Sequence, residues 1–483
     1  MSFFRLSILL SIFTGFILPD QLYPSDIHHH VNHLHLDGAS INILWIIPFL
    51  GILLSIAIFP LISSSFWHHN YGKISAFWGI VFLFTFTYNF GIDVSKFYLL
   101  EVYLKEFLPF IVILLALFTV SGGVLISGNM KGTPIVNTSI LLIGTVLASW
   151  MGTTGASMLL IRPLIKSNQD RINKVHIFVF FIFLVSNIGG ALTPLGDPPL
   201  FLGFLKGVDF FWTTTKLFLP MVIIAIPLLI LFYIVDSYIY KKEEIKFNSD
   251  NIKIKISGKV NLVLILFIII SVVVSGIWRA DSSNPENWLI AYGGECIMTY
   301  GTFLQVSLLL LITFISLKIT PNSIRTENGF TWEPVKEVFK LFATIFITMV
   351  PAIAMLKSGK NGPLEDIVSL LSDGDGNAIN MMYFWVTGIL SAFLDNAPTY
   401  LVFFNTAGGD PSYLMNEGMV TLVAISAGAV FMGAMSYIGN APNFMVKSIA
   451  EENKIQMPSF FAYMIWSICI LFPLFFIITL IIF

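Results

Sequence analysis

Charge is what this chain most lacks. Only 11% of its residues are Asp, Glu, Lys or Arg, against roughly 25% in soluble domains. By contrast 56% are hydrophobic and the mean hydropathy is +0.84. A water-facing surface cannot be built from that inventory, so the chain reads as a polytopic membrane protein whose bulk partner is the lipid bilayer. Cysteine is scarce too. Cys296 and Cys469 are too few and too far apart for a disulfide framework or a thiolate metal site. The formal net charge of −2 gives no footing for nucleic acid. Neither Gly-x-Ser-x-Gly nor His-Glu-x-x-His occurs, and His176 has no evident nucleophile beside it, so a membrane protease or other enzyme is not indicated. Nothing calls for a resident cofactor.

What is present is apolar length. Spans of about 20 residues are expected at 41–62, 74–91, 107–127, 175–205, 216–240, 260–278, 301–319, 338–356, 418–447 and 459–482. Upstream, Arg5 precedes a short apolar run, Leu6 to Leu18, which suits either a signal peptide or an uncleaved anchor. Both options leave 19–40 outside. Two further apolar stretches, 134–166 and 379–407, are interrupted near the middle, at GTTGAS (152–157) and DNAPT (395–399). Their arms are short, as in re-entrant hairpins.

Basic residues test that reading, because cytoplasmic loops are enriched in Lys and Arg. If both interrupted stretches return to their side of entry, 19 of the 26 basic residues fall inside. If they crossed, the Arg162–Lys174 segment would lie outside. The hairpin topology is therefore preferred, and it makes a repeat. Residues 41–240 form three spans, a hairpin, a broken span and a closing span; 260–483 follow the same order from the opposite face. The charged stretch 241–259 joins them as a cytoplasmic linker. The expected fold is thus an all-α inverted repeat with ten transmembrane helices plus the N-terminal segment 1–40.

The residues support the repeat independently. GALTPLGDPP (190–199) aligns without gaps on GAMSYIGNAP (433–442), an offset of 243 that sets Asp197 against Asn440. At nearly the same offset the first hairpin tip falls on the second. Glycine and paired prolines cannot continue a helix smoothly, and unwound backbone survives at membrane depth only where it is buried or lines a polar cavity. Two broken helices and two hairpin tips therefore suggest one central site, where freed carbonyls hold a cation or half-helix N-termini face an anion. Asp197 and Asp395 are the carboxylates placed near the membrane centre. A bare charge there costs at least ~2.5–3.5 kcal/mol, so each would hold either a proton or a cation. That competition is the chemistry of cation/proton exchange, and of a carboxylate carrier that neutralises its anion with cations. Simpler roles exist for the same residues: Asp197 and Asp395 as helix caps, Thr153, Thr154 and Ser157 as packing residues, Asn187 as an interhelical bridge.

SNIGGALTPLGDPPLFLGFL (186–205), SAFLDNAPTYLVFF (391–404) and GAMSYIGNAPNFMV (433–446) resemble the ion transporter superfamily, and within it the bacterial NhaD-type sodium/proton antiporters and their citrate-transporter relatives. The likeness covers about 40–483. It implies an elevator-type secondary transporter, homodimeric, in a bacterial inner membrane, with sodium (or lithium) and protons, or a carboxylate such as citrate, as cargo. By motif it implies an ion or substrate site of Thr154, Ser157, Asn187, Thr193, Asp197, Asp395, Asn396, Thr399, Ser436, Asn440 and Asn443, the two aspartates holding the cation. The tips lack the full Ser-Asn-Thr pattern of the superfamily's dicarboxylate carriers, which weighs against a dicarboxylate. HHHVNHLH (28–35) could in principle bind zinc or sense external pH.

Overall fold

The structure is a computed structural model that describes residues 34–128, 130–243, 255–279, 285–373, 375 and 377–483. The N-terminal apolar run and most of the histidine-rich stretch lie outside the described residues, as does the middle of the 241–259 linker.

The chain is mostly helical. In order come α1 (Ile43–Ile62), α2 (Ser64–Phe90), α3 (Ile92–Ser121), strand β1 (Leu125–Ser127), α4 (Pro134–Met151), α5 (Thr153–Ser167), α6 (Val175–Leu184), α7 (Pro198–Leu205) and α8 (Phe210–Lys242). Then follow β2 (Lys255–Ser257), α9 (Val260–Arg279), β3 (Trp288–Tyr292), β4 (Glu295–Thr299), α10 (Tyr300–Ile319), α11 (Glu333–Thr348), α12 (Val350–Lys357), α13 (Asn380–Leu394), α14 (Asn396–Thr406), α15 (Met419–Met432), α16 (Ala441–Glu452) and α17 (Phe460–Ile482). Among the described residues, eight helices are long and apolar enough to cross a membrane. Large apolar side chains on the outer helices stay open to the surroundings, for example Ile226, Phe461 and Leu480. Such a surface suits lipid and not water, so the protein is a multi-pass membrane protein.

Three features depart from a purely helical expectation. β1 and β2 form an antiparallel ribbon that ties the end of the linker to the segment after α3, and β3 and β4 form a second. The expected span 338–356 is bent by 43° between α11 and α12, where Pro351 near the start of α12 cannot extend the preceding hydrogen-bond ladder. Within α3, Glu101–Phe107 runs as a π-helix.

Both interrupted stretches return on themselves. The Gly132 N–H, just before α4, donates to the Ser167 carbonyl at the end of α5 at 2.8 Å. Tyr383 of α13 and Phe403 of α14 place their rings 6.4 Å apart. α4–α5 and α13–α14 are therefore hairpins, although α4 alone, at 18 residues, is long enough to span. Each hairpin packs on a helix that follows a break elsewhere in the chain: α14 on α7, and α5 on α16. At the first of these contacts Gly203 leaves room for the buried Tyr400, whose hydroxyl would lie 2.2 Å from an added Cβ. α6 and α15 run through the middle and are buried on every side.

A buried polar cluster fastens the base of the first hairpin. Asp236 of α8 accepts hydrogen bonds from Arg171 at 2.8 Å, His176 at 2.9 Å and Asn137 at 2.9 Å. Arg171 also reaches Glu243 at 2.7 Å, and Asn137 exchanges two hydrogen bonds with Asn168. His176, without a role in sequence, is a structural ligand of Asp236. Asp236→Ala leaves a buried guanidinium short of a partner, and removing one member of such a pair costs about 3–5 kcal/mol. The purified variant is expected to melt well below the wild type in detergent; an unchanged melting temperature would show that the cluster does not fasten the hairpin.

Candidate functional site

The site begins with two backbone interruptions of one residue each. α4 and α5 are separated by Gly152, with φ 82° and ψ 147°. α13 and α14 are separated by Asp395, with φ 73° and ψ 142°. Glycine occupies that conformation freely, whereas a side chain there costs on the order of 1–3 kcal/mol. The two residues are 243 apart, the offset of the repeated motif.

The two helix breaks match each other in the same way. After α6 the chain passes through a 3-10 turn, Ile188–Leu192, and then runs extended at Thr193 and Asp197 before α7. After α15 it passes through Gly433–Met435 and runs extended at Ser436 and Asn440 before α16. In each break the chain folds back on itself. A Cβ on Gly196 would lie 2.1 Å from the Gly190 carbonyl oxygen, and one on Gly439 would lie 2.6 Å from that of Gly433. Each break is bonded to the hairpin arm beside it. Thr193 donates its hydroxyl to the Ser149 carbonyl, and Ser436 donates its hydroxyl to the Ala392 carbonyl. The Thr153 N–H donates to the Gly196 carbonyl at 2.8 Å. These bonds replace the helical ladder where it is lost, as membrane burial demands.

Asp197 stands where the pieces meet. Its carboxylate accepts from the Thr153 hydroxyl of the first hairpin tip at 3.0 Å, from the Asn440 amide of the second break at 3.0 Å and from the Asn396 amide of the second tip at 2.5 Å. It is 1% exposed, so these donors stand in for water. Asp197 precedes α7 but makes no side-chain cap bond to it; its oxygens go to the other segments. Asp395 does cap, accepting from the Ala397 N–H at 3.3 Å. Its charge also acts on Asp197.

The remaining expected residues sort around this centre. Asn187 donates to Asn443 at 2.7 Å, and Asn440 donates to the Ser186 carbonyl and, at 3.3 Å, to Asn187. Asn443 donates to the carbonyls of Gly433 and Ser436, closing the second break. Asn187, Asn440 and Asn443 thus form one buried amide chain leading to Asp197. Ser157 lies further along α5 and shares a hydrogen bond with Ser186 at 2.9 Å. Thr399 donates to the Asp395 carbonyl one turn back in its own helix. Thr154 lines the cavity without a hydrogen bond to Asp197; the tip hydroxyl that makes one is that of Thr153.

A cavity of about 590 Å³ reaches the site, lined there by Gly152, Thr153, Thr154, Asp197, Asp395 and Asn440. One acceptor is unused: the buried side-chain oxygen of Asn396 has no hydrogen-bond partner. With the Asp197 carboxylate beside it, that oxygen suits a hard cation, which takes carboxylate and amide oxygens. Among the described residues no group of three or more His, Cys, Asp or Glu side chains is arranged to hold a metal ion. Both cysteines are free.

The backbone at Asp395 can be tested directly. Asp395→Gly relieves the strained conformation, and a cap replaced by glycine loses only a few tenths of a kcal/mol. Asp395→Ala keeps the strain and loses the cap. Asp395→Gly is therefore expected to melt above Asp395→Ala, by on the order of 1–2 kcal/mol of stability. The reverse order would refute a backbone held against its preference.

A search of curated proteins finds no match to the chain. A family model described as "Putative citrate transport" matches residues 38–483, nearly the whole length and both copies of the repeated motif. With its multi-pass helical fold and paired helix breaks, the chain belongs to that family of membrane transporters.

Proposed function

We propose that the protein is a secondary active transporter that exchanges a small cation, sodium or lithium, for protons at Asp197 and Asp395. The observation that carries this reading is the convergence on one buried carboxylate of donors from both hairpin tips and from the opposite break. A carboxylate in such a place holds a proton or a cation in turn, and the unused Asn396 oxygen offers the cation a second ligand. The residues proposed for the site are Asp197, Asp395, Asn396, Asn440 and Thr153, supported by Asn187, Asn443, Thr193 and Ser436.

The architecture proposed for this chemistry is an inverted repeat of ten transmembrane helices in a homodimer of a bacterial inner membrane, its hairpins and broken helices moving as a unit. The matched breaks at an offset of 243 and the reciprocal packing of α14 on α7 and α5 on α16 support two equivalent halves. Orientation rests on the distribution of basic residues.

A second reading is coupled uptake of citrate or a related carboxylate. It is favoured by the family description and by the cavity, whose 590 Å³ far exceeds the needs of a bare cation. One assay separates the two: purified protein in liposomes with a pH-sensitive dye inside, challenged with sodium, lithium, potassium and citrate. Exchange predicts that sodium or lithium alone drives protons across the membrane, and that Asp197→Asn and Asp395→Asn abolish this. Proton movement only when citrate is present supports the second reading. Wild-type-like exchange by both variants would remove the aspartates from the mechanism.

A further inference from the structure

The cavity that ends at Asp197 holds a cationic group to which no role has been given. Arg162 of α5 lines it. No hydrogen bond or ion pair is made by its guanidinium among the described residues, and one of its terminal nitrogens is buried without a partner. The carboxylates nearby are otherwise engaged or too distant. Glu337 accepts from the Trp67 indole at 3.1 Å, and Glu333 pairs with Lys336 at 2.6 Å. Glu452 acts on Arg162 through its charge but forms no ion pair with it. Gly329 leaves the space the guanidinium fills: a Cβ there would lie 1.9 Å from a terminal nitrogen. Arginine left unpaired in a partly enclosed space is unusual, because its planar fork bonds carboxylates two at a time and its burial without a partner is costly.

Position supplies the second argument. Thr153, the residue that holds Asp197, opens α5, and Arg162 lies nine residues further along the same helix. At 1.5 Å per residue the two are about 14 Å apart along the axis. One helix, with Pro163 just beyond Arg162, therefore links the buried carboxylate to a guanidinium further along the cavity.

We propose that Arg162 is the anion contact of this cavity, binding a carboxylate group of a polycarboxylate passenger. The proposal rests on the second reading above, uptake of a carboxylate, with this cavity as its path. A carboxylate on Arg162 points the rest of the molecule along α5 toward Asp197, where a cation or protons offset the remaining negative charge. Charge-assisted hydrogen bonds contribute about 1.5–3 kcal/mol each, enough for one arginine to set affinity.

Calorimetric titration of citrate into the purified protein tests this without any transport step. Arg162→Gln is expected to weaken binding about tenfold or more, and Arg162→Lys, a charge without the fork, by less. Glu452→Gln, which removes the nearby opposing charge, is expected to tighten binding. Tightening that disappears when Arg162→Gln is added to Glu452→Gln assigns the effect to the guanidinium; tightening that persists in the double variant does not. If Arg162→Gln does not fold, as judged by its melting and elution, the Lys and Glu452 variants decide the matter. Unchanged affinity in the arginine variants, or no citrate binding by the wild type, overturns the proposal. Binding and ion-driven proton movement are read separately, so failure of one is distinguishable from failure of the other.

Discussion

One buried carboxylate organises the centre of this molecule. Asp197 is buried and cannot remain ionised without donors, because water is largely excluded from it. The donors come from three places distant in sequence: a hairpin tip at Thr153, a second tip at Asn396 and a break at Asn440. Each must leave helical geometry to reach it, so each carries a glycine, a proline or a strained residue. The breaks, the hairpins and the small polar side chains around them are consequences of that single requirement.

The same constraint explains the economy of the surroundings. Serine and threonine hydroxyls are spent on carbonyls freed by the breaks, as Thr193 is on Ser149 and Ser436 on Ala392. Asparagines bridge segments because an amide both donates and accepts without carrying charge. Among the buried polar atoms left without a partner are the Asn396 oxygen at the centre and an Arg162 nitrogen along the cavity.

Much of this was legible in the residues. Glycine and proline punctuate apolar runs for steric reasons that hold in any fold, so the breaks at 152, 190–199, 395 and 433–442 could be placed without coordinates. The Asp197–Asn440 correspondence followed from the ungapped motif. What could not be read was rotation about the helix axis. The motif placed Thr154 in the site and left Thr153 as a packing residue, but successive residues are turned by about 100°, and it is the Thr153 hydroxyl that meets Asp197. The Arg171–Asp236–His176 cluster was hidden for another reason: its members come from separate segments and follow no period. The two β-ribbons are too short, at three to five residues per strand, to show an alternating pattern.

The claim that the hairpin tips meet across Asp197 can be tested by proximity. With Cys296 and Cys469 replaced by serine, Thr153→Cys and Asn396→Cys would be introduced together and treated in native membranes with mercuric ion or a short bifunctional thiol reagent. The account predicts a cross-link within one chain in the double variant, absent from either single variant and slowed by the transported cation. Two reactive thiols that never cross-link would contradict it, because the tips would then not share one carboxylate.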